Sequence, residues 1–123
     1  MPRPLSQVWE ACRASSTFAR AGAAASLAHL PDGERVYVSI DIDAFAPSIA
    51  LGTATISHGG LSYYEGKDIL REIASRIEVV GADFVEVSPP YDPSGITSLL
   101  AARLTLDFIG AIYSQRHVRN QAN

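Results

Sequence analysis

Hydrophobic positions along the chain change their period several times, and each change predicts an element. Val36, Tyr37, Val38 and Ile40 form a short, mostly apolar, β-branched run that ends in two acids. Such a run predicts a strand covered on both faces. Beyond Gly60 the period becomes helical. Ile69, Leu70, Ile73 and Ile77 share one face, and Lys67, Asp68, Arg71, Glu72 and Ser75 fall elsewhere. Ser62 with Glu65 three residues on is a capping box. These signals predict a helix over 62–76, with Gly66 lowering its propensity. IEVVGADFVEV predicts a second strand, best at 83–87, with Glu86 inside it, and SPPYDPSG breaks it. A last helix is expected over 96–113. It is apolar almost all round, which predicts deep burial or an interface, and Arg103 and Asp107 pair at i, i+4 on its narrow polar side.

The flanks are less patterned. The Ala-rich stretch 18–30 is helix-compatible, with Gly22 as its weak point, and PDGE at 31–34 is a turn. Residues 1–17 show no period, and SQRHVRNQAN reads as a polar, frayed end. The expected organisation is an irregular segment over 1–17, one domain over 18–116 and a polar tail over 117–123.

Strands alternating with helices imply a parallel sheet in an α/β layer fold. Ligands gather at the carboxyl ends of such strands. Asp41 and Asp43 sit at one such end, and Glu86 near the other. Between them, residues 44–60 form a long loop rich in Pro, Gly, Ser and Thr. Loops of that length in compact domains are commonly functional.

Composition narrows the function classes. The chain has 123 residues, 47% hydrophobic and 19% charged, which suits one globular domain with a real core. Its net charge of -3, without a basic block, argues against nucleic acid as a partner. Cys12 is the single cysteine, so no internal disulfide forms. No apolar run is seen to approach the roughly 18 residues of a membrane span. The start, MPRPLSQVWEACRASSTFARAG, has no signal-peptide core and only a faint transit-peptide character. The default expectation is a cytoplasmic protein.

Asp41 and Asp43 are two apart, so a continuing strand would point both to one face. Like charges that close raise each other's pKa unless a cation neutralises them. Carboxylate oxygens suit hard ions such as Mn²⁺ or Mg²⁺. The plain alternative is a solvated turn, or one Asp capping a helix. Glu86, if buried in its strand, needs a partner. A substrate guanidinium held in a bidentate pair is one, and a structural ion pair with a distant Arg is the other. His58, in the loop before Gly59 and Gly60, is a candidate for lining a site or moving a proton, or an ordinary polar loop residue. His29 and His117 read as surface residues. Tyr63, Tyr64 and Tyr91 are candidates for a pocket edge, with packing as the alternative.

Taken together, SIDIDAFAPSIALGTATISHGGLSYYEG and GADFVEVSPPYDPSGITSLLAARLTLDFIGAI closely resemble the arginase/agmatinase ureohydrolase family, in particular its bacterial agmatinase-like members. The first stretch follows an S-x-D-x-D pattern with a Thr- and Gly-rich loop and Gly-Gly, and the second an E-V-x-P strand end. The resemblance covers about residues 31–115. It implies a three-layer α/β/α fold with a parallel sheet. It implies a pair of Mn²⁺ ions bridging a hydroxide that attacks a guanidinium carbon and releases urea. By motif, Asp41 and Asp43 would be metal ligands, Glu86 would hold the guanidinium of an agmatine-like substrate, and Thr55 would line the pocket.

The departures shape the expectation equally. The resemblance calls for upstream G-G-D-H and D-A-H-x-D segments carrying four further ligands, and neither occurs here. Ala46 stands before Pro47 where the pattern has Asp, and Leu51, Ala54 and Ile56 replace Pro, Gly and Pro, which predicts a looser loop. The chain reads as the C-terminal part of a ureohydrolase, a fragment or remnant with weak metal affinity and no hydrolysis by itself. The competing reading is a non-catalytic module that assembles with itself, as a homo-oligomer, or with a complementary chain. Other D-x-D enzymes fit less well. Phe45 stands where haloacid-dehalogenase-like phosphatases carry Thr or Val, and D-x-D glycosyltransferases lack the E-V-x-P partner.

Overall fold

The computed structural model describes residues 22–25, 27, 28, 30 and 32–121. Strand β1 (Arg35–Asp41) leads through a 3-10 turn (Ile42–Ala44) and the long loop to helix α1 (Tyr63–Arg76). Strand β2 (Glu78–Val85), a second 3-10 turn (Pro89–Tyr91) and helix α2 (Ile96–Gln121) follow. The strands pair in parallel, from Arg35↔Glu78 to Asp41↔Val85, and α1 is the crossover between them. A helical turn at 22–25 falls within the stretch expected to be helical. The remainder of that stretch outside the described positions, with His29, Cys12 and the segment 1–17, lies beyond the described residues.

Helix α1 begins where the sequence places it because its capping box closes in both directions. The Glu65 carboxylate accepts from the Ser62 N–H at 2.7 Å, and the Ser62 hydroxyl accepts from the Glu65 N–H. At the other end the Arg76 guanidinium donates to the carbonyls of Leu27 and Leu30 and to Asp32, each at 2.7 Å. Gly66 has a packing reason that outweighs its propensity. A Cβ there would lie 2.3 Å from Cε1 of the Phe45 ring.

One hydrophobic cluster joins the elements. Val38 and Ile40 of β1, Leu70 and Ile73 of α1, Val79 of β2 and Leu100, Leu104 and Phe108 of α2 all lie in it. Leu104 and Ile42 are wholly enclosed, each contributing about 1.5–3 kcal/mol by burial alone. Both helices serve the same face of the sheet. The opposite face of β1 is open among the described residues, contrary to the expectation of a strand covered on both sides. The run alternates, with Val38 and Ile40 inward and Tyr37 and Ser39 exposed. Asp83 of β2 receives both hydroxyls there, Tyr37 at 2.9 Å and Ser39 at 2.7 Å.

Three further expectations are corrected. Strand β2 runs over Glu78–Val85, so its centre lies upstream of 83–87. Helix α2 continues to Gln121, because SQRHVRNQ contains neither Gly nor Pro and Gln121 bonds His117 one turn back at 2.7 Å. Helix α2 is also not deeply buried. Leu100, Ala101, Leu104 and Phe108 are covered, while Leu99 (70%), Leu106 (67%) and Tyr113 (70%) are exposed. By length and composition Ile96–Val118 would suffice to cross a membrane, contrary to the expectation that no apolar run approaches such a span. One face of it packs into the core, and Arg103 and Asp107 lie within the span. Asp107 meets Arg103 and Lys67, each at 3.5 Å, and accepts from the Tyr63 hydroxyl, tying α2 to α1.

Candidate metal and guanidinium site

Strand β1 stops at Asp41 because the next three residues wind into a 3-10 turn. Asp41 Oδ1 caps that turn, accepting the Asp43 N–H at 2.8 Å. The two acids therefore do not share one face of a continuing strand, as the D-x-D spacing suggested. Asp41 uses one oxygen as a cap, and Asp43 rides on the turn. The turn is held firmly. Ile42 and Phe45 on either side are buried, and Phe45 bridges to Leu61 through Leu61 N–H to Ala44 O and Ala46 N–H to Leu61 O, both 2.8 Å. The two ends of the long loop thus meet beneath the acids.

Asp43 is the anomalous group. Its Oδ1 is buried and has no hydrogen-bond partner among the described residues. Burial, then the negative charges of Asp41 and Glu86, push its carboxyl above the ordinary range. Buried polar atoms are normally satisfied, and an orphan needs an explanation. The register supplies the third acid. Val85 pairs with Asp41, so Glu86 emerges one residue past the same rim. Glu86 is exposed and outside the strand, which corrects the reading of a buried strand residue. Its φ of +64° places a non-glycine residue in the left-handed region. Such strain persists where surrounding structure enforces it, and it clusters at functional sites.

The rim thus gathers Asp41, Asp43 and Glu86. Its donors are oxygens, its charge is negative and one buried oxygen is unfilled, which is the chemistry of part of a hard-cation site. Among the described residues no group of three or more His, Cys, Asp or Glu is arranged to hold a metal ion. Asp41 and Asp43 can supply two ligands and no more.

The loop residues divide differently from expectation. His58 is exposed at the border of a cavity of about 320 Å³ that also touches Asp41, Phe45 and Leu70. Thr55 is exposed. Thr53, two residues earlier, is buried at 5% exposure, its hydroxyl without a partner among the described residues, and the sequence reading passed over it. Tyr63, Tyr64 and Tyr91 do not border the cavity. Nor is the loop loose at Gly52. Its N–H donates to Thr97 Oγ1 at 2.8 Å and its carbonyl accepts from Ser88 N–H at 2.7 Å. A Cβ on Gly52 would lie 2.7 Å from Cβ of Asp92. Asp92 accepts from the Thr97 N–H at 2.7 Å and from the Ser94 hydroxyl, which bring its pKa down to about 2.

A βαβ unit with acids clustered past the carboxyl ends of parallel strands defines an α/β protein with a ligand site at its rim. The sequence matches the Arginase family over residues 8–110, and the chain belongs to that family. It is 45% identical over 80 residues to the mitochondrial guanidino acid hydrolase of Homo sapiens, covering 65% of this chain and 22% of that protein. It is 44% identical over 77 residues to the guanidinobutyrase of Pseudomonas aeruginosa, covering 63% and 24%. The crystal structure of a hypothetical agmatinase from Burkholderia thailandensis superposes with a TM-score of 0.74 at 33% identity, over 84% of this chain and 34% of that one. The native arginase of Bacillus caldovelox gives 0.63 at 31% identity, over 78% and 34%. The arginase-like α/β fold is thereby established. The chain spans about a quarter of the length of the curated relatives it matches.

Proposed function

We propose that this chain carries part of the site for Mn²⁺-dependent hydrolysis of a guanidino compound to urea and an amine. The supporting observation is the buried, unpartnered Asp43 oxygen beside Asp41 and Glu86. The relatives named guanidinobutyrase, guanidino acid hydrolase and agmatinase support the guanidino class, which shares one reacting end.

Asp41 and Asp43 would hold the metal, whose chemistry is to lower the pKa of bound water and polarise the carbon under attack. The residues themselves do the rest. The Asp41 cap fixes the turn, and the Phe45–Leu61 bridge keeps Asp43 from swinging into solvent. Glu86, aimed by its left-handed backbone, would receive the guanidinium in a charge-assisted pair. Thr53, Thr55 and His58 lie on the loop that would close over the substrate. With two carboxylate ligands these 123 residues alone would hold Mn²⁺ weakly and release no urea.

Titration calorimetry with Mn²⁺, with a urea assay on the same sample and agmatine as substrate, tests this. Weak binding that disappears in Asp43→Asn, without urea release, is expected. Equal heats from the wild type and the variant would sink the metal assignment, and urea release would sink the assignment of an incomplete site.

A further inference from the structure

Among the described residues Glu86 is the one non-glycine with a positive φ. Such a conformation persists only where the chain on both sides is pinned. On its N-terminal side Val85 pairs with Asp41 in the ladder. On its C-terminal side the pin is Ser88, whose N–H donates to the Gly52 carbonyl at 2.7 Å. The Ser88 φ of −120° is extended backbone, which the ring of the following Pro89 favours. The Ser88 carbonyl accepts from the Tyr91 N–H at 3.0 Å, so the 3-10 turn holds it from the far side. Only Glu86 and Val87 lie between the two pins, and Val87 is packed against the hydrophobic cluster. The change of direction falls on Glu86.

Ser88 is only as fixed as Gly52, and Gly52 belongs to the long loop. It is held in turn from the start of α2. Its N–H donates to Thr97 Oγ1 at 2.8 Å, and Thr97 is buried at 1% exposure. The Thr97 N–H donates to the Asp92 carboxylate at 2.7 Å, which fixes the backbone from which that hydroxyl projects. The fit is close. A Cβ on Gly52 would lie 3.1 Å from Thr97 Oγ1 and 3.2 Å from the Ser88 carbonyl oxygen. A hydroxyl in the first turn of a helix commonly serves its own helix. This one accepts from a residue 45 positions away. We infer that Thr97 is a positioning residue for Glu86. Through Gly52 and Ser88 its hydroxyl holds the left-handed backbone that brings the Glu86 carboxylate to the acidic rim. Thr97 lies outside both the D-x-D and the E-V-x-P stretches. The clamp stands on its own geometry, and its purpose rests on the guanidinium role proposed for Glu86.

NMR of the isotopically labelled 123-residue chain tests this, with Thr97→Val, which keeps the branched outline and removes the hydroxyl, and Thr97→Ser, which keeps the hydroxyl. In the wild type the Gly52 and Ser88 amides should exchange more slowly than that of exposed Gly59, by about tenfold or more. The three-bond coupling between the Glu86 amide proton and its Hα reports φ. It should move towards the extended value in Thr97→Val, with the Val85 amide shift unchanged, and return in Thr97→Ser. The shift of the Glu86 carboxyl carbon on adding agmatine should shrink in Thr97→Val and recover in Thr97→Ser. An unchanged Glu86 coupling in folded Thr97→Val would overturn the clamp. So would a wild-type Ser88 amide that exchanges as fast as Gly59, a result that decides the matter even where Thr97→Val does not fold. A wild-type Glu86 that ignores agmatine while its coupling follows Thr97 would instead overturn the guanidinium role.

Discussion

Asp43 and Asp92 each sit in a turn beyond the end of a strand, and their charges are met in opposite ways. Asp92 is buried, accepts from Thr97 N–H and the Ser94 hydroxyl, and has its pKa brought down to about 2. Asp43 has a buried oxygen without a partner among the described residues and a carboxyl whose pKa is pushed upward by burial and by two neighbouring acids. One turn is complete as folded, binding the loop at Gly52 to the start of α2. The other is left unfinished at a point held just as firmly by Ile42 and Phe45. A satisfied carboxylate belongs to the architecture, and the unsatisfied one in a rigid frame is the one proposed to meet a ligand.

Four substitutions would break or sharpen this contrast. The largest loss is expected from Asp92→Ala, which strips the N–H of Thr97 and the hydroxyl of Ser94 of their acceptor and frees the loop. Its thermal midpoint, read by circular dichroism, should fall by several degrees, and a neutral outcome would erase the distinction. Gly66→Ala attacks the frame under Asp43. It gains up to about 1 kcal/mol of helix propensity but drives a methyl into the Phe45 ring, so urea denaturation should show a net loss of about 1–3 kcal/mol. Glu86→Gly should stabilise by about 1 kcal/mol through release of the left-handed strain, while removing the group proposed for the guanidinium. Asp43→Asn should give the smallest change, a gain in midpoint that depends on pH.

The sign of that dependence differs for the two acids. An acid whose folded pKa is depressed stabilises above its unfolded value, near 3.9. The Asp92 contribution is therefore present at neutral pH and lost as pH falls from about 4 towards 2. An acid whose folded pKa is raised does the reverse. The folded state binds more protons, so stability declines as pH rises through the carboxylate range and beyond. Asp43→Asn should consequently gain stability at neutral pH and not at pH 3, in parallel melts at the two values.

Much of this was legible in the residues. The alternation of strand and helix, the Ser62–Glu65 box and the D-x-D at a strand end carried the α/β class, the start of α1 and the position of the acidic rim. What escaped depends on contacts between distant residues. Periodicity does not report that Glu86 leaves the strand with a positive φ, since β2 ends by pairing with Asp41. Asp92 read as part of a breaker sequence, because its role needs Thr97 and Gly52 brought to it by folding. Thr53 and Thr55 are indistinguishable by spacing, and only packing buries the first. The all-round apolarity of α2 was visible, but burial of one face alone follows from what the chain packs against it.

The central claim is that the rim of Asp41, Asp43 and Glu86 is a cation and guanidinium site. Carboxyl-carbon NMR of the chain during Mn²⁺ addition tests it most directly, because the paramagnetic ion broadens the carbons it approaches. The account predicts that the side-chain carboxyls of Asp41 and Asp43 broaden first, that Glu86 follows, and that Asp92 and the α1 surface acids Asp68 and Glu72 stay sharp at the same metal level. Uniform broadening of exposed carboxylates, with Asp43 no more sensitive than Glu72, would contradict it.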